Sequence, residues 1–221
     1  MSKPSTWTDP YETFLMNYSA RMNDGSLVGF EPIKERIYCQ CWSTNEESEA
    51  LWNVHSPNFR SVKIKSSGEK LMEYLYDINN NFHLLSYFIG SVNYVSEDFI
   101  KELLKDGIRH YFSSETGGMS IIQSLFIKRK AFSYEDEVRL IFNAPNSSDI
   151  DYSKIINVWN IKENYFSYKI NINDTIEEIT LHPNLNDAEC TEMENEIRRL
   201  GYKGEIKRSK LFTKEDIIID F

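Results

Sequence analysis

Between Phe132 and Phe142 the chain reads Phe-Ser-Tyr-Glu-Asp-Glu-Val-Arg-Leu-Ile-Phe, and no other stretch restricts the fold as strongly. Read as a strand over Glu135 to Phe142, its alternate side chains go to opposite faces. Val138, Leu140 and Phe142 then enter a core. Glu135, Glu137 and Arg139 line the other face, in steps of about 7 Å. The fold must bury one side of this strand and carry a carboxylate, a second carboxylate and a guanidinium on the other.

The rest of the chain mixes helix and strand signals. Arg36 to Trp42 and Ser61 to Lys65 alternate as strands do, and Val92 to Val95, Ile176 to Leu181 and Glu205 to Ser209 also read as strands. Ile155 to Ile161 and Tyr165 to Ile170 read as a hairpin. Asp9-Pro10-Tyr11-Glu12 has the residues of a capping box with Pro at the first helical position, which predicts a short helix to about Arg21. Thr44 is placed to cap a helix through Glu47, Leu51 and Trp52 that Pro57 stops. Helices are also expected at Glu69 to Asp77, at Glu97 to Asp106 behind Ser96, after Gly117-Gly118 through Leu125, and at Asp187 to Leu200 with Gly201 as the stop. Strands cluster after Glu135 and no repeat or long linker interrupts the order. The expectation is α+β: a single domain over 1–221, with mixed, mainly antiparallel sheets flanked by helices.

Composition removes several classes. A 41% hydrophobic and 27% charged chain of 221 residues is neither a disordered tail nor a fibre. Three Cys (Cys39, Cys41, Cys190) do not make a disulfide framework. No apolar run approaches the roughly 18 residues needed to cross a bilayer, and the opening residues lack a secretory apolar region. The expectation is a cytoplasmic protein with no membrane partner. A net charge of −9 argues against tight nonspecific nucleic-acid binding. Cys39 and Cys41 have strand spacing, and His55, His83, His110 and His182 form no spaced cluster, so no metal site is expected.

The charged row supports two readings. Two carboxylates and a guanidinium can orient a sugar hydroxyl or stabilise a cationic transition state. The same row can be a solvated strand face whose ion pairs contribute little. Lys128-Arg129-Lys130, just upstream, can hold a phosphate or can simply answer a helix dipole. Trp42 and Trp52 flank a helix start; they can pack a core or wall a base pocket.

Four ordered stretches together resemble the bacterial domain-of-unknown-function family numbered 2971. They are Ser5 to Glu12 with its Asp-Pro-aromatic-Glu core; Cys41-Trp42-Ser43 followed by Leu51-Trp52, with His55 where Tyr is usual; Phe126-Ile127-Lys128 with Phe132-x-x-Glu135-x-Glu137-Val138-Arg139; and Ile176 through Pro183 to Gly201-Tyr202 and Ser209. The layout is in turn similar to ADP-ribosyltransferases. That likeness implies an NAD-utilising transferase, an effector in bacterial defence or a toxin. Glu137 would hold the ribose hydroxyl and steady an oxocarbenium-like state, and Glu135 would position the acceptor. Arg139, Lys128, Trp42, Ser43 and Trp52 would be binding residues, with NAD as cofactor. The alternative is a non-catalytic module that keeps the fold and binds a protein partner.

Overall fold

The strand around Arg139 forms, but starting two residues later than the alternation predicts. The computed structural model describes residues 1–17, 19–21, 24–29, 34–75, 87–107, 117–144, 159–161 and 164–214. These divide into two compact units, Met1–Thr44 with Leu75–Lys169, and Asn45–Tyr74 with Ile170–Phe221. Helices and small, mainly antiparallel sheets are mixed in both, an α+β architecture.

In the first unit, β1 (Ser19–Arg21) and β2 (Leu27–Gly29) form an antiparallel pair. The central sheet places β3 (Ile37–Ser43) on one side of its middle strand, Glu137–Asn143. The other neighbour is Tyr87–Ser91. In chain order, with Val62–Lys65 of the second unit as β4, Tyr87–Ser91 is β5, Asn93–Val95 is β6, Ile127–Arg129 is β7 and Glu137–Asn143 is β8. Both neighbours run antiparallel to β8, with Cys41 and Gly90 opposite Arg139 and Ser43 opposite Glu137. β6 and β7 pair in parallel, Tyr94 opposite Lys128. β9 (Trp159–Ile161) and β10 (Phe166–Tyr168) close the antiparallel hairpin. Residues 155–158 of that expected hairpin lie outside the described residues.

Both faces of β8 are covered, which corrects the expectation of one core face and one open face. On the Arg139 side, Ile37, Cys39 and Ile141 pack against Ile121, Ile122 and Leu125 at and after the helix Gly117–Ser124, with Met16 beneath. On the other side, Phe142 lies between Tyr87 and Phe166, ring centroids 5.0 and 4.7 Å away, and Tyr38 joins them. These four aromatic rings fill that side of the sheet.

The expected helix from Asp9 to Arg21 is replaced by turns, a single 3-10 turn at Phe14–Asn17 and strand β1. Asp9 Oδ1 accepts only the Tyr11 N–H, at 3.0 Å. Phe14, Leu15 and Met16 are buried in succession, which a helix with one apolar stripe does not allow. Glu97–Glu102 forms a helix capped by Ser96 and continues as a π-helical turn at Leu103–Gly107.

The second unit is a three-stranded sheet, with β4 (Val62–Lys65) antiparallel and β12 (Glu205–Arg208) parallel to the central β11 (Glu178–Leu181). In chain order over both units the helices are α1 (Glu49–His55), α2 (Gly68–Glu73), α3 (Glu97–Glu102), α4 (Gly117–Ser124), α5 (Ile172–Thr175) and α6 (Asp187–Arg199). Helix α6 carries the chain from β11 to the parallel β12. It starts in a full capping box between Asn186 and Glu189 and ends before Gly201, whose φ of +94° only glycine adopts without strain. Ile179, Leu181, Cys190, Ile197 and Tyr202 form its core. Helix α1 is capped by Ser48 rather than Thr44. Thr44 instead bonds Asp136 in the first unit.

Candidate functional site

Arg139 organises the charged row. It is fully buried, because Gly90 opposite it on β5 leaves room for the Phe126 ring, which a Cβ there would meet at 3.1 Å. Its Nε donates to Glu137 Oε1 at 2.8 Å and its Nη2 to Glu137 Oε2 at 3.0 Å, a bidentate pair. Nη2 also donates to Glu12, and Nη1 to the Leu125 carbonyl. The Trp7 ring lies 4.4 Å from the guanidinium. Four N–H groups are thus matched, which offsets the cost of burying the charge.

Lys128 on β7 enters the same cluster. Its ammonium contacts Glu135 at 2.5 Å, Glu137 at 3.1 Å and Glu12 at 3.5 Å, with the Phe132 ring 5.0 Å away. Arg129 faces a second pair of carboxylates, Asp9 at 3.0 Å and Glu97 at 2.8 Å, and stacks over Tyr11 at 4.8 Å. Five carboxylates therefore meet Lys128, Arg129 and Arg139, with Lys101 a fourth cation 4.0 Å from Glu97, so carboxylates outnumber cations. The triplet Lys128-Arg129-Lys130 is neither an exposed helix end nor a free phosphate cradle at its first two positions; both are consumed by carboxylates.

Burial pushes the Glu137 carboxyl up, but the hydrogen bonds and charge of Arg139, with Cys41 and Lys128, more than offset it and hold it below the ordinary range. Glu12 goes the other way. Its desolvation outweighs Arg139 and Lys128, and its pKa is raised. Cys41 is an exposed residue, yet protein atoms crowd its sulfur. That crowding first, and then Glu137, to which its S–H is hydrogen-bonded, push the thiol well up. A raised pKa keeps the thiol in its less nucleophilic protonated form.

Glu135 is not on the strand. It ends a 3-10 turn, Lys130–Glu135, and Asp136 then takes φ +43° before β8 begins. Asp tolerates this left-handed conformation better than most residues. Ser43 Oγ donates to the Glu135 carbonyl at 2.6 Å, and the Thr44 N–H to the Asp136 carbonyl at 2.9 Å, clipping the turn to the end of β3. The turn points Glu135 back onto Lys128, its side chain 19% exposed against 4% for Glu137. The Glu137 N–H donates to Tyr94 Oη at 2.9 Å.

The fold thus gathers Glu135, Glu137, Arg139, Lys128 and Ser43 at one end of the central sheet. Trp42 is half-buried on the opposite face of β3, beside Val138, and its indole N–H is buried without a hydrogen-bond acceptor among the described residues. Trp52 belongs to the second unit, where its indole N–H donates to Glu47 at 3.0 Å. The solvated-face reading of the row fails, since Arg139 and Glu137 are both buried. The capping-box reading of Asp9 and Glu12 fails too, because both carboxylates bind arginines. Those two residues, with Trp7, Tyr94 and Glu97, are the members of the cluster that sequence reasoning missed. The available signal was Asp9-Pro10-Tyr11-Glu12 recurring in one resemblance together with the later Glu-x-Glu-Val-Arg.

Among the described residues no group of three His, Cys, Asp or Glu is placed to hold a metal ion. His83 and His110 lie outside them. No described helix is long and apolar enough to cross a membrane. Set against models of known protein families, curated proteins and solved structures, the chain matches none of them.

Proposed function

We propose that the chain works as a non-catalytic module that binds a protein partner, with the Glu137–Arg139 row serving as an internal fastening. One observation favours the non-catalytic role. Both oxygens of Glu137 are occupied, Oε1 by Arg139 and Oε2 by Arg139 and Lys128, in a residue that is 4% exposed. A carboxylate that must grip a ribose hydroxyl or steady an oxocarbenium ion needs a free lone pair and an unneutralised charge facing the substrate. Glu137 offers neither. Its charge is spent tying β8 to β7 and, through Glu12, to the N-terminal segment.

A second reading has its own support. The cluster retains net negative charge, and Glu135, Cys41 and Ser43 lie at its more open rim. An ADP-ribosyltransferase-like enzyme that uses NAD would then employ Glu135 toward the substrate, with Glu137 and Arg139 supporting it from behind.

Nicotinamide release from NAD, measured with the full chain and with Glu135→Gln and Glu137→Gln, separates the two. The module reading expects no release above buffer, no thermal shift with NAD, and a melting loss that is larger for Glu137→Gln than for Glu135→Gln. Release that Glu135→Gln abolishes at unchanged melting temperature overturns it in favour of the transferase.

A further inference from the structure

In the second unit, two buried side-chain polar atoms without hydrogen-bond partners among the described residues belong to residues that neighbour the same two aromatic residues, Trp52 and Phe59. His182 is 3% exposed and directly follows β11. Its Nδ1 accepts the Asn184 N–H at 3.1 Å, so the ring proton of the neutral form is on Nε2. That Nε2–H is buried and has no hydrogen-bond partner among the described residues. Ser56, 1% exposed just past α1, has a hydroxyl in the same condition. The two come from different elements but have common neighbours. Trp52 packs edge-on against the His182 ring at 4.8 Å and accepts the Ser56 N–H on its carbonyl at 2.8 Å. Phe59 lies 5.1 Å from the His182 ring and donates its N–H to the Ser56 carbonyl at 3.0 Å.

Unsatisfied buried donors are costly and rare, and two on residues with the same aromatic neighbours call for a common cause. The walls differ in freedom. Trp52 is pinned by its indole bond to Glu47. Phe59 is 44% exposed and takes φ +61°, a left-handed conformation unfavourable for an aromatic residue. Backbone strain of this kind persists where the surroundings impose it, and ligand clamps are among such places.

We propose that His182, Ser56, Trp52 and Phe59 form a binding site for an uncharged planar ring that carries an exocyclic carbonyl. The carbonyl accepts from His182 Nε2–H and the Ser56 hydroxyl. The ring lies against Trp52, and Phe59 is the outer wall that moves to admit it. Aromatic sides with a few polar groups are the usual make-up of a small-molecule site, and a neutral histidine donor favours a neutral acceptor. This site is independent of the reading given to the Glu137 row.

The test is a titration of the full chain, labelled with 15N-histidine, with nicotinamide and with uracil, and with cyclohexanecarboxamide as the non-planar control. The His182 Nε2 signal is assigned by its loss in His182→Gln. The expected result is a saturable shift of that signal with both planar rings at millimolar Kd, the range for fragments of this size. The control should leave it unmoved, and Ser56→Ala should weaken binding about tenfold while its circular dichroism spectrum stays native. A flat titration to about 10 mM, or an equal response to the control, overturns the proposal.

Discussion

Replacing Arg139 by Met tests whether the charged row is an internal fastening. The substitution keeps much of the aliphatic volume and removes four hydrogen bonds, two to Glu137, one to Glu12 and one to the Leu125 carbonyl. It leaves two buried carboxylates with only Lys128 nearby, at 3.1 Å from Glu137 and 3.5 Å from Glu12. Removing one partner of a buried ion pair costs about 3–5 kcal/mol, because the remaining charge stays desolvated. At about 2–4 °C per kcal/mol for a chain of this size, the melting temperature should fall by roughly 6–20 °C. Urea denaturation followed by circular dichroism at pH 7 and at pH 5 measures this loss. The stranded carboxylates can protonate as pH falls, so the gap to wild type should narrow at pH 5. Adding Glu12→Gln should restore part of the loss, giving a coupling of about 0.5–3 kcal/mol. A loss under about 1 kcal/mol that is the same at both pH values is the behaviour of an exposed pair, and it would refute the argument.

Three further outcomes follow from other parts of the fold. The wild-type chain should show opposed acid effects. Glu12, with its raised pKa, binds its proton more tightly folded than unfolded, so stability rises as pH falls through its folded pKa. Glu137, with its lowered pKa, contributes stability that is present above its unfolded value and lost as pH falls through its folded one. Glu12→Gln should remove the first effect and leave the second, readable from melting temperature against pH. Gly204→Ala should cost about 1–3 kcal/mol by overpacking, because a Cβ there collides with the hydroxyl and ring of Tyr202, which the α6 core holds in place; a neutral result in denaturant titration would show that Tyr202 can yield. Asn186→Ala should cost about 1 kcal/mol through loss of the α6 cap, and a change within error would mean that the capping box is idle in solution.

Local rules were enough where local chemistry decides. Ser96 and Gly201 mark helix ends by a side-chain bond and a backbone angle within a few residues, and the structure has them there; the capping box of Asn186 with Glu189 is an addition from the structure. The strand reading of the sequence found β3, β4, β11 and β12 to within a residue or two at each end. It could not find β5, whose Tyr-Phe-Ile-Gly-Ser is a strand because β8 pairs with it. Asp9 and Glu12 show the same limit. Their pattern satisfies a helix cap perfectly well in isolation, yet two arginines more than a hundred residues away bind both carboxylates. Glu135 and Glu137 were expected side by side on one strand, and Asp136 in a left-handed conformation separates them into a turn residue and a strand residue. Alternation placed Arg139 and Glu137 on one face correctly but could not tell whether that face is covered. The covering comes from Trp7, Phe126 and Leu125, on segments whose approach no local spacing encodes.

Site-resolved 13C titration of the Glu137 carboxyl in the full chain, with and without NAD, addresses the fastening directly. The signal should titrate below free glutamate and give the same curve when NAD is added. Titration at or above the free value, with a displacement on adding NAD, would mean that the carboxylate faces a ligand and not its two cations.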